Sequence, residues 1–149
     1  MQRKIAETFD VRTVRDGEEL EIGPLTVVAH EVRHPVTAFA FRVTGPDGAV
    51  LTYTGDTDAC AGVEAAADGA DLLLSEAAFT DGVDAVRGIH LTGRRAGEVA
   101  ATAGARRVVL THLQPWADPE RIRSDAAAVY AGPLAMAEPG AVYEVSTTS

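Results

Sequence analysis

The run Val50-Leu51-Thr52-Tyr53-Thr54-Gly55-Asp56-Thr57 carries an apolar stretch into a glycine turn that presents a carboxylate beside two hydroxyls. A strand that ends this way delivers a functional Asp to its rim. The pattern recurs in Arg107-Val108-Val109-Leu110-Thr111-His112, which leads apolar residues into an imidazole and then breaks at Pro115. Two strand ends, one carboxylate and one imidazole, point to a metal site. Taken singly, each has a plainer reading. Gly55-Asp56-Thr57 is also a reasonable turn with Asp56 capping the next helix, and a lone histidine at a strand end is more often not a ligand than a ligand.

Working outward from Asp56, residues 25–32, 38–43 and 49–53 read as three strands, because β-branched and aromatic residues cluster there and Gly45-Pro46-Asp47-Gly48 makes a turn. Downstream the period changes. Asp58 is expected to cap a helix running to Gly69, and 71–75 reads as a buried strand. Thr92 caps a second helix with Ala96, Val99, Ala100 and Ala103 on its apolar face, closed by Gly104, and 106–110 is the strand after it. Asp118-Pro119 opens a third helix with Ile122, Ala126 and Val129 on one face, stopped by Gly132-Pro133; Ala135 and 141–145 finish as short strands. Residues 1–22 are a weakly patterned lead-in, with organised structure expected from Gly23-Pro24. Strands first, then strand and helix in alternation, indicate a single α/β layered domain with part of its sheet parallel.

The 149 residues suit one domain, and 46% hydrophobic content allows a sizeable core. A formal charge of -9 offers no basic footprint for nucleic acid or anionic membranes. No apolar run approaches the roughly 20 residues of a bilayer span. The basic start Met1-Gln2-Arg3-Lys4 leads to Glu7, Asp10 and Arg12, not to the apolar core of a signal peptide, so a cytoplasmic chain is expected. Cys60 is the only cysteine, which leaves histidine and carboxylate as metal ligands.

Histidine is scarce: His30, His34, His90 and His112 are all there are. Pro35 holds His34 in extended backbone between two strands. His30 reads as structural. His90 lies just ahead of the Thr92 cap, near the positive end of a helix dipole, where it can meet an anionic group. Glu76, at the end of 71–75, could orient that imidazole, although spacing alone favours a chance surface pair. Trp116, beside Pro115, could wall a pocket; packing under the loop is the expected role.

The ordered set Thr54-Gly55-Asp56-Thr57, Ala70-Asp71-Leu72-Leu73-Leu74-Ser75-Glu76-Ala77, His90-Leu91-Thr92 and Leu110-Thr111-His112 resembles the C-terminal half of a metallo-β-lactamase-fold hydrolase. His34-Pro35 ahead of Ala38-Phe39 and Arg42-Val43 is similar to the ribonuclease Z-like branch. The resemblance covers roughly residues 20–145. It implies half of an αβ/βα sandwich, a mixed sheet with helices on one face. It further implies that Asp56 bridges two metal ions, that His34 completes one site and His112 the other, and that His90, supported by Glu76, serves the scissile group as proton donor or oxyanion stabiliser. The implied cofactor is zinc, two ions in a complete site, with manganese or iron fitting the same ligands. The implied chemistry is attack of metal-bound hydroxide on a phosphodiester or related ester.

The family's His-x-His-x-Asp-His run is absent: no two histidines here are separated by one residue, and no Asp-His pair occurs. Three ligands are few for two ions. The chain therefore reads as a C-terminal half-domain over 1–149, with little activity on its own. It should associate with a separate N-terminal half or with itself as a homo-oligomer, because a lone half exposes an apolar sheet face. Two competing readings are a non-catalytic oligomerising module derived from the fold and an ordinary α/β domain. Transfer-RNA ends would suit the resemblance, but the charge does not support them; small-molecule esters suit the same scaffold.

Overall fold

A computed structural model describes residues 8–147. Seven strands form one sheet whose spatial order is the order of the chain: β1 (Glu19–Ile22), β2 (Leu25–Val32), β3 (Ala38–Thr44), β4 (Val50–Tyr53), β5 (Leu72–Glu76), β6 (Val108–Thr111) and β7 (Leu134–Met136). The first four pair antiparallel through short turns. From β4 onward pairing is parallel, which requires crossovers. Helices α1 (Ala61–Ala67), α2 (Gly93–Ala103) and α3 (Pro119–Ala127) supply or follow those crossovers.

All three helices pack on one face. Val63, Ala66 and Ala67 of α1, Ala96, Val99, Ala100 and Ala103 of α2, and Ile122 and Ala126 of α3 join Val32, Ala40, Leu73, Val108 and Leu110 in one buried core. The approach is close because the contacts are small: a Cβ on Gly62 would overlap the Glu31 carbonyl, and one on Gly93 would overlap that of Ile122. Period-two alternation sends the intervening residues to the opposite face. There Ala29, Phe41, Tyr53, Leu74, Val109 and Ala135 line up in register across six strands. Phe41 and Leu74 are half-buried and Tyr53 is 40% exposed, so this face is only partly covered. The final described segment covers some of it: Val145 lines a shallow hollow with Leu25, Val43 and Leu51.

Thr92 and Asp118 cap α2 and α3 as expected, each side chain accepting from backbone N–H groups of the first turn. Three local expectations are corrected. Organised structure begins before Gly23, because β1 pairs with β2 and Gly23, at φ +59°, turns the chain between them. Cys60, not Asp58, is the N-cap of α1, because the Asp58 carboxylate is taken up by long-range partners. Residues 141–145 form no strand: Gly140 turns at φ +80°, and Ala141 N–H closes that turn onto the Glu138 carbonyl.

Candidate metal centre

Because β2 and β4 both run antiparallel to β3, the C-terminal ends of β2, β4, β5 and β6 share one edge of the sheet. Each delivers one polar side chain there. After β4, Gly55 turns at φ +58° close under the Phe39 carbonyl, and Asp56 projects from the turn with its side chain 44% exposed. After β6, His112 adopts φ +61°, the only non-glycine among the described residues with positive φ. Strain of this kind collects at functional sites. It puts His112 Nδ1 3.2 Å from Asp56 Oδ1.

Glu76, at the end of β5, is fully buried and ties the edge together. Its Oε1 accepts from Thr57 N–H at 3.0 Å and from His90 Nδ1 at 2.7 Å; its Oε2 accepts from the N–H groups of Ala78 and Leu91. Three of these four donors are backbone amides that can only donate, so the carboxylate is the acceptor and His90 carries its proton on Nδ1. The Nε2 lone pair of neutral His90 is thereby left for the edge. Burial pushes the Glu76 carboxyl up, opposed by the Ala78 and Thr57 amides and by His90. Burial also raises Tyr53, and the neighbouring Asp56 and Glu76 charges add to it, which marks a negative potential at this edge.

Ligand atoms of Asp56, His90 and His112 all lie within 4.8 Å of one another, as donors around a common ion must. His34, expected as a ligand, stands beside rather than within that group: its ring centroid is 5.4 Å from that of His90, which is in turn 5.2 Å from that of His112. His34 Nδ1 lies 2.9 Å from the Ile89 carbonyl, which can only accept, so Nδ1 is protonated and Nε2 carries the lone pair. A backbone carbonyl fixing one ring nitrogen while the other stays free is the usual support of a metal-binding histidine. The donor set of one carboxylate and imidazoles fits a divalent transition metal. His30 lies away from this edge on β2, with a buried Nε2 that has no hydrogen-bond partner among the described residues.

A family model described as a beta-lactamase superfamily domain matches residues 1–113. The chain belongs to the metallo-β-lactamase superfamily. An uncharacterised Mycobacterium leprae protein is 38% identical over 140 residues, covering 94% of this chain and 49% of that protein. The probable metallo-hydrolase YhfI of Bacillus subtilis is 34% identical over 128 residues, and its crystal structure superposes with a TM-score of 0.81 over 87% of this chain and 54% of that one. A ribonuclease Z of Myxococcus xanthus is 41% identical over 123 residues, covering 74% of this chain and 40% of its own. The chain spans about half the length of the relatives it matches.

Within this metallo-β-lactamase half-fold, sequence reasoning missed what fixes the loop that carries His90. Asp58 is fully buried and accepts from Arg95, Arg87, Gly88 N–H and Ala59 N–H. Burial alone would raise this carboxyl, but the two amides and the Arg95 guanidinium outweigh it and hold the group below the ordinary range. Since Gly88 is two residues from His90, the pair pins the loop to α2. A signal was present: Arg95 falls on the apolar stripe of α2 beside Ala96 and Val99, and a buried arginine needs a carboxylate. Trp116 was also misjudged. It is 82% exposed instead of packed under its loop, because with Pro115 it forms the centre of an exposed turn that Ala117 N–H closes onto the Gln114 carbonyl.

Proposed function

We propose that the chain contributes half of the active site of a metal-dependent hydrolase acting on a phosphodiester or related ester. The supporting observation is the convergence of Asp56, His90 and His112 on one edge, with His34 held beside them by a fixed tautomer. Asp56, His112 and His34 would hold the metal, with Asp56 bridging when two ions bind. A bound zinc, or manganese or iron on the same ligands, supplies the Lewis acid that makes water a nucleophile at neutral pH. His90 presents Nε2 to the leaving oxygen. Nε2, which carries a lone pair in the resting site, first takes a proton from solvent; the imidazolium then gives that proton to the oxygen as the ester bond breaks, and the ring ends neutral with Nδ1–H still donated to Glu76. The buried Glu76 carboxylate orients the ring and favours its charged form before transfer.

Three ligands leave each of two ions under-coordinated, so this chain alone binds metal weakly and turns over little. The half-covered sheet face is filled by the second half that longer relatives possess, or by another copy of the chain. Calorimetry with zinc tests the first point; submicromolar affinity for two ions in the isolated chain would overturn it. Light scattering tests the second, and a well-dispersed monomer at micromolar concentration refutes it. In a reconstituted enzyme, Asp56→Ala removes metal and activity together, whereas His90→Gln keeps metal and loses turnover. Loss of metal in His90→Gln would instead make His90 a ligand. The open face also favours a second reading, an oligomerising module without chemistry, which Asp56→Ala with full function would support.

A further inference from the structure

Next to the metal-capable edge lies a cavity of about 260 Å³, walled by Phe79, Ile89, His90, Gln114 and Trp116, with Asp84 at its margin. Resting on the hydrolase reading, we infer that this cavity seats a planar aromatic ring carried by the substrate, joined to the ester that His90 serves. Position argues for it first. The His90 ring belongs both to the metal-capable group and to the cavity wall, so an occupant of the cavity lies directly beside the reacting centre. Size argues next. Whole ligands fill pockets of roughly 300–1,000 Å³, and this one falls below that range, so it takes one ring and not an entire molecule.

The lining chemistry selects the kind of ring. Trp116 offers an indole 82% exposed, and Phe79 stands edge-on to His90 with centroids 5.0 Å apart, so a flat guest meets aromatic walls. No lysine or arginine lines the cavity, and its one charged residue is Asp84. An anionic phosphate is therefore turned away from this subsite and towards the metal edge, which sets the orientation of the substrate. Gln114 can donate or accept at the ring's rim, and Asp84, whose Oδ2 already accepts from Thr80 N–H, favours a guest with an N–H or amino substituent over one with another acid.

Trp116 is the only tryptophan in the chain, so its indole N–H gives a single side-chain resonance that reports occupancy without turnover. The experiment titrates the isotope-labelled chain, held in a large excess of zinc to offset its weak metal binding, with phenyl phosphate and, in parallel, with methyl phosphate. Phenyl phosphate should move the indole peak saturably and methyl phosphate should leave it in place. Followed through the imidazole resonances, because the variant has no indole, Trp116→Ala should weaken phenyl phosphate binding at least roughly fivefold, since stacking on an aromatic side chain is worth about that much or more. Trp116→Phe should restore most of it. An indole peak that ignores phenyl phosphate, or Trp116→Ala binding as tightly as wild type, overturns the inference. Failure of the underlying hydrolase reading appears separately, as zinc leaving the imidazole resonances of His34, His90 and His112 unmoved.

Discussion

Replacing Asp58 by Asn tests whether the buried pair with Arg95 holds the His90 loop in place. In the folded chain Asp58 has no exposed surface and the Arg95 side chain is 8% exposed, whereas Arg87, the other cationic partner, is 59% exposed. Asn keeps the shape but only one acceptor: Ala59 N–H bonds Oδ1 and Gly88 N–H bonds Oδ2, so the amide oxygen serves one of them and the NH2 faces the other, and the substitution removes the charge together with one acceptor. What remains is a buried guanidinium without its counter-ion. Removing one partner of a buried pair costs about 3–5 kcal/mol, a large part of the roughly 5–15 kcal/mol that holds a domain together. Arg87→Ala, by contrast, breaks a pair whose cation is mostly in water and should cost no more than about 1 kcal/mol. Urea unfolding followed by circular dichroism measures both. The pH dependence supplies an independent check. The Asp58 carboxyl is lowered in the fold, so the unfolded chain binds more protons as acidity rises. Its contribution is complete above the ordinary carboxylate value of 3.8 and is lost as pH falls through the lowered one. Asp58→Asn should lack that part of the acid slope. If Asp58→Asn stays within 1 kcal/mol of wild type, or costs no more than Arg87→Ala, the pair is not the anchor inferred here.

Tyr130→Phe should cost about 1 kcal/mol at neutral pH, because the buried hydroxyl donates to the Ala105 carbonyl at 2.8 Å; chemical denaturation measures it. Burial raises the Tyr130 pKa, so the wild type loses this residue's contribution as pH climbs above 10 through the raised value, while the Phe variant shows no such alkaline loss. Gly62→Ala should destabilise despite alanine's better helix propensity. The gain of about 1 kcal/mol is outweighed by overpacking of roughly 1–3 kcal/mol plus the shift forced on α1, because the new methyl meets the rigid Glu31 backbone. A melting temperature at or above wild type would show that α1 can slide off β2 freely.

Much of the fold was legible because its signals are local. Thr92 and Asp118 announce α2 and α3 through side chains that bond within their own first turns. The strands from β2 to β6 were readable as apolar runs with turn residues between them. What misled were side chains whose partners lie far along the chain. Asp58 has the look of a cap from its neighbours, yet its main partner is 37 residues on. For Glu76 and His90, spacing alone favours a chance surface pair and only the resemblance joins them; of the amides that fix the carboxylate, Ala78 N–H is local, but those of Thr57 and Leu91 are brought to it by the folded sheet. The lead-in hid β1 for another reason: four residues with alternating glutamates carry too little apolar pattern to stand out, and pairing with β2 supplies the order.

The switch from antiparallel to parallel pairing at β4 explains why so short a chain can gather these groups. Two reversals from β2 to β4 restore the original direction, and the crossovers then keep it, so residues just past β2, β4, β5 and β6 all meet at one edge. The same alternation that turns Leu73 and Leu110 towards the helices turns Tyr53, Glu76 and Thr111 the other way. The metal-capable edge is therefore the rim of the sheet face that no helix covers. Whatever packs on the row of Phe41, Tyr53 and Leu74 also stands against Asp56 and His112, whose side chains are 44% and 39% exposed on that rim. On the proposed hydrolase reading, one partner surface would therefore both cover the sheet and supply the further ligands, so loss of sheet coverage and loss of metal affinity should go together in any variant of that face.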